Sequence, residues 1–169
     1  YEEDDYRSNK NAFIRTVEDE DDKAENLPRA IDSFVLAGAI KLYRQEMDPD
    51  HYRYPHHTML IHHAAKQIVH EEDKQIVDRI FLNGARYFTQ DGIAKLESLF
   101  NTDFLPVSKL RASEAPFPST FGELKPYISK CISMLTSDKP VRIINCSARG
   151  HLDEPDFEQA PVWAILVGG

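Results

Sequence analysis

The sequence contains no apolar run of about 18 residues, the length a helix needs to cross a bilayer. It has only two cysteines, Cys131 and Cys146, both inside apolar segments and without metal-ligand spacing. That argues against a disulfide framework and leaves two reduced core thiols. A basic surplus is also missing: the formal net charge is −8, whereas a single nucleic-acid domain usually advertises itself with a basic face. No GxxxxGKS/T, GxSxG or HExxH occurs, so the phosphate-loop, nucleophile-elbow and zinc-protease readings fail. The opening YEEDDYRSNK is acidic rather than basic-then-apolar and does not read as a signal or transit peptide. A soluble, cytoplasmic protein with no membrane partner is expected.

What is present is uneven. Residues 1–26 carry ten acidic side chains against four basic, while residues 27–169 carry 18 against 16. The lead, with its VEDEDDKAEN run, reads as a solvated acidic linker. Residues 27–169 read as one domain, because 169 residues at 41% apolar suffice for a single core.

LPRAIDSFVLAGAIKLYRQ predicts a helix capped by Asn26 with Pro28 in its first turn. Leu27, Ile31, Phe34, Val35, Gly38 and Leu42 recur at helical spacing, and Ala37-Gly38-Ala39 thins the middle so that another backbone can approach. HTMLIH predicts a short buried strand. AAKQIVHEEDKQIVDRIFLNG predicts a helix ending near Gly84, and a further helix is expected over about Asp91–Phe100. FLPVSKLRASEAPFP is expected to be irregular. Thr120 and Glu123 have capping-box spacing before a stripe running to Leu135, with Pro126 as an alternative start. VRIINCS and VWAILVGG are apolar and β-branched without alternation, as in strands covered on both faces. The grammar is that of a three-layer α/β domain with a short parallel sheet and a helical insertion over about residues 84–138. The stop at Gly168-Gly169, directly after a buried strand, suggests a piece of a longer protein.

PHHTMLIHHAAKQIVH holds five of the seven histidines. Histidines bracketing the strand lie ~20 Å apart at a rise of ~3.3 Å per residue. Zinc ligands must approach within ~2.1 Å, so no metal site is expected there. His56 and His57 read as polar ends of a core strand. His62, His63 and Lys66 fall at the carboxyl end of the strand and the start of a helix, the rim where open α/β sheets bind ligands. Asn145 and Arg149 follow the second strand at the equivalent rim, and Gly168 and Gly169 form the rim turn after the third. Each could equally be an ordinary polar turn. Asp153, Glu154, Asp156 and Glu158 cluster without calcium-loop spacing and read as a solvated loop. No catalytic residue is identifiable.

Three blocks together resemble one family: LPRAIDSFVLAGAIKLYR (Leu27–Arg44), HTMLIHHAA (His57–Ala65) and VWAILVGG (Val162–Gly169). They resemble, in order and spacing, the leading helix, the MLIH strand and the strand before an LSRG-type motif of the Z-one domain. That family is described as endonuclease-like and is associated with superfamily-two helicase regions. The resemblance implies part of a RecA-like helicase lobe within a large bacterial protein of restriction or phage defence. It implies DNA as partner, ATPase or helicase regions of the same chain as neighbours, and ATP and Mg2+ for the full-length protein, with no cofactor in this region and no activity for it alone. Two departures stand out. His63-Ala64-Ala65 replaces a small or β-branched residue and a serine, which removes a hydroxyl contact to phosphate, and the LSRG-type motif is not in the sequence. The rival reading from composition is a protein-interaction or scaffold module, which the acidic balance favours. A metal hydrolase would require the histidines and the acids near Asp153 to meet.

Overall fold

The computed structural model describes residues 23–62, 67–144 and 155–168. Helix α1 spans Lys23–Met47, strand β1 His56–Ile61 and helix α2 Gln67–Phe81. A tight 3-10 segment, Leu82–Phe88, leads to α3 (Gln90–Leu99), a π turn (Phe100–Phe104) and α4 (Leu105–Arg111). Helix α5 (Phe121–Thr136), β2 (Val141–Ile144) and β3 (Val162–Gly168) follow. All three strands are parallel in the order β1-β3-β2, so the last strand in sequence is central. The fold class is mixed α/β.

Several elements differ in detail from their sequence pattern. The first helix begins at Lys23, so Asn26 lies inside it rather than capping it, and Pro28 sits within the helix. Helix α5 begins at Phe121 rather than at Pro126. Its start is fixed by Thr120, whose hydroxyl accepts from the Glu123 N–H at 3.4 Å, and by the Glu123 carboxylate, which accepts from the Ser119 N–H at 3.0 Å. Leu105–Arg111, expected to be irregular, is helical, because Pro106 stands in the first turn where its absent N–H costs nothing. The chain reverses after α2 through left-handed backbone at Leu82, Asn83 and Gly84 (φ 49°, 50° and 77°). Gly84 suits this conformation, and a Cβ there would also collide with Ile132.

Side chains alternate across the central strand. Trp163, Ile165 and Val167 join the main core with Ile31, Phe34, Val35, Val77, Phe81, Ile128 and Cys131. Val162, Ala164 and Leu166 form a separate cluster with Ile144 on the other face. Among the residues whose side chains are described, none from a helix enters that second cluster.

His57 is not a polar strand end but a core residue, 5% exposed. Its ring stacks on Phe34 (4.1 Å, 5°) and lies 5.0 Å from Trp163, and its Nε2–H donates to the Phe34 carbonyl at 2.8 Å. Room for this contact comes from Gly38. A Cβ there would lie 2.5 Å from Cys131 Sγ and 2.7 Å from His57 Nε2, so the glycine serves close packing between α1, α5 and β1.

Gly38→Ala is expected to destabilise the protein by about 1–3 kcal/mol, the usual cost of overpacking. Urea unfolding with an unchanged midpoint would refute the close-packing role. Burial lowers the His57 pKa to about 4 from 6.5. The unfolded chain therefore takes up a proton that the native core refuses between those values. Stability from this group is full above pH 6.5, falls as pH drops through the window, and has lost about 3 kcal/mol by pH 4. His57→Gln, which keeps a donor toward Phe34, should flatten that part of the pH profile. An identical profile in the variant would refute the assignment.

Candidate functional site

In a parallel sheet all strands end on one side, and the register fixes where. Ile61 of β1 pairs with Val167, and Ile144 of β2 pairs with Gly168. The carboxyl ends of three adjacent strands therefore share one edge. Each rim residue expected from sequence follows one of these ends. His62 comes directly after β1, Asn145 after β2, and Gly168 closes β3. Of these residues, His63, Lys66, Asn145, Arg149 and Gly169 lie outside the described residues, as do Cys146, Asp153 and Glu154.

His62 and Gly168 do meet. The imidazole Nδ1 lies 2.7 Å from the Gly168 carbonyl oxygen. A carbonyl only accepts, so Nδ1 carries the proton and Nε2 remains for another partner on an exposed ring. Gly168 has its own steric reason: a Cβ would fall on the Ile144 carbonyl. The rim thus joins β1, β3 and β2 through one hydrogen bond and one side-chain-free crossing.

Arg142 and Lys139 do not gather there. Arg142 turns back toward the amino end of β2, where its guanidinium meets Asp138 at 2.9 Å and the Lys139 carbonyl at 3.2 Å. Lys139 precedes β2 and so also belongs to that opposite end. In the loop before β3, the Asp156 carboxylate accepts from the N–H groups of Glu158 and Gln159 (2.9 and 3.2 Å), which makes it a turn-former. No group of three or more metal-ligating side chains occurs among the described residues.

A second polar constellation was missed in the sequence. Asp32, 6% exposed on the buried side of α1, accepts from Arg86 Nη2 at 2.7 and 3.0 Å and from the Tyr87 hydroxyl at 2.9 Å. Arg86 Nη1 also donates to the Ile80 carbonyl at 3.2 Å. Burial raises the Asp32 pKa against the opposing pull of Arg86. The available signal was an aspartate beside Ile31 and three residues before Val35, in the apolar stripe of the leading helix. Its partners lie more than fifty residues away, which periodicity does not reveal.

These elements define a mixed α/β protein with a short three-stranded parallel sheet. A family model described as the Z1 domain matches residues 26–169. The chain belongs to the Z1 domain family, the one its three sequence blocks resemble. Comparison with curated proteins returns no match, and comparison with solved structures returns none. No helix among the described residues is long and apolar enough to cross a membrane.

Asp32→Ala would leave the Arg86 guanidinium, 17% exposed, without its carboxylate. Removing one member of a buried pair costs about 3–5 kcal/mol, and the partial exposure of Arg86 sets the expectation near the lower figure. A loss below about 1 kcal/mol in urea unfolding would show the pair to be energetically idle.

Proposed function

We propose that this chain is a nucleic-acid-processing module of an ATP-dependent endonuclease or helicase-like bacterial defence protein, with the nucleic-acid path along the carboxyl rim of the sheet. The observation that carries the reading is the convergence of three parallel strand ends, bridged by His62 and Gly168, in a member of the Z1 domain family. Loops at such an edge present free N–H groups and polar side chains outward, which suits phosphate contacts. In this reading the sheet is part of a RecA-like lobe, and His62, His63, Lys66, Asn145 and Arg149 face a DNA backbone. ATP and Mg2+ act with other regions of the full-length protein. The residues present include no phosphate-binding loop, so no step of nucleotide chemistry is assigned to this chain.

One observation favours a second reading. Arg142 and Lys139 lie at the amino end of β2, away from the rim. A scaffold or protein-interaction module of the same large protein needs no convergence of cations.

The test is salt-dependent binding to labelled single- and double-stranded DNA. Each phosphate neutralised contributes a slope of about −0.9 in log affinity against log salt for duplex, and about −0.7 for single strands. Lys66→Glu is expected to reduce the slope by at least about one contact's worth, with His63→Ala weakening binding at fixed salt. Absence of binding at low salt would favour the scaffold.

A further inference from the structure

A cleft of about 430 Å³ opens between the amino half of α1 and the face of α3 that runs into the π turn. Two helical spacings build it. Pro28, Arg29 and Asp32 come from α1, and Lys95, Ser98, Leu99 and Thr102 follow at i, i+3, i+4 and i+7 from α3 onward. Arg86 completes the wall. Its size lies within the range of small-molecule sites, about 300–1,000 Å³.

Charge gives the cleft its character. Three cations, Arg29, Arg86 and Lys95, face one carboxylate, Asp32, in a chain whose overall charge is −8. Asp32 already accepts three bonds from Arg86 and Tyr87, so it fixes the guanidinium in place. Arg29 is exposed at the mouth of the cleft. Lys95 meets Asp91 at 2.9 Å, but the two side chains are 59% and 77% exposed, and an exposed pair exchanges readily for another anion. Ser98 adds a hydroxyl at the rim of the cleft, while the Thr102 hydroxyl donates its proton to the Ser98 carbonyl at 2.8 Å. Thr102 itself belongs to the π turn, a local widening that is frequent at functional sites.

We propose that this cleft is an anion site that holds a phosphate group against Arg29, Arg86 and Lys95, with a hydroxyl from Ser98. The phosphate belongs either to a small free phosphate compound or to a nucleic-acid backbone. The inference is independent of the sheet rim, because the cleft is built only from helices α1 and α3, the 3-10 segment and the π turn.

The experiment is calorimetric titration of this chain with inorganic pyrophosphate at low salt, then with a short oligothymidylate, using Arg29→Glu, Lys95→Glu and Lys95→Gln. Lys109→Glu, an exposed charge change outside the cleft, is the control. Expected is pyrophosphate binding weakened about tenfold or more by each glutamate variant, less by Lys95→Gln, and unchanged by Lys109→Glu, as for a local charge effect at short range. Oligothymidylate that competes with pyrophosphate identifies the source as a backbone, and a lack of competition identifies a free phosphate compound. Absence of pyrophosphate binding at millimolar concentration overturns the proposal, and so does equal weakening by Lys109→Glu. Two Lys95 variants keep the test valid should Arg29→Glu fail to fold. Lys66→Glu is expected to leave pyrophosphate affinity as it is, so failure at the cleft and failure at the rim are read separately.

Discussion

The contact on which the architecture turns is the His57 imidazole held between Phe34 of α1 and Trp163 of β3. Flat stacking on one ring and a bond to the carbonyl of that same residue fix both the distance and the rotation of β1 against α1. Because β3 is hydrogen-bonded to β1 in register from His56–Val162 to Ile61–Val167, the whole sheet inherits that placement. A buried imidazole stays neutral where water would protonate it, so the contact exchanges pH tolerance for geometric definition. An aliphatic residue would bury as well, but it could not donate to a helix carbonyl.

Legibility from sequence followed the range of each interaction. The strands HTMLIH, VRIINCS and VWAILVGG were readable because an apolar β-branched run is a local signal, and so was the Thr120–Glu123 cap. The helix start at Lys23 was not readable, since Asn26 and Pro28 form a plausible local cap that the helix overrides. Leu105–Arg111 was hidden by Pro106, which breaks a helix interior but not a first turn. The pairing of β3 between β1 and β2 depends on contacts across more than a hundred residues, and no periodicity carries that order. His57 looked like a polar strand end because its aromatic partners, Phe34 and Trp163, are remote in sequence.

The two polar regions differ in how they could be found. The rim followed from strand direction alone, and the hydrogen bond from His62 to Gly168 ties two predicted positions together. Its electrostatics did not follow. Arg142, on a strand of that sheet, is committed to Asp138 at the far end, because a strand side chain reaches only its immediate neighbours. Lys66 and Arg149, the two cations that follow strand ends in the sequence, lie outside the described residues. The nucleic-acid reading proposed above therefore turns on those two named charges.

The Asp32–Arg86–Tyr87 cluster poses the opposite problem. A buried ion pair is weak evidence for stability, since desolvation of both charges offsets most of their attraction. Apolar residues of similar size would hold α1 to the Leu82–Phe88 segment as well. What they would not do is present a guanidinium of fixed orientation at the wall of a cleft. Arg86 stands two residues after the left-handed turn at Leu82, Asn83 and Gly84, and Asp32 reaches it from α1. Strained backbone and a desolvated carboxylate thus converge on one arginine. Both costs are understandable if the orientation of that guanidinium is what the helical half of the domain is built to preserve.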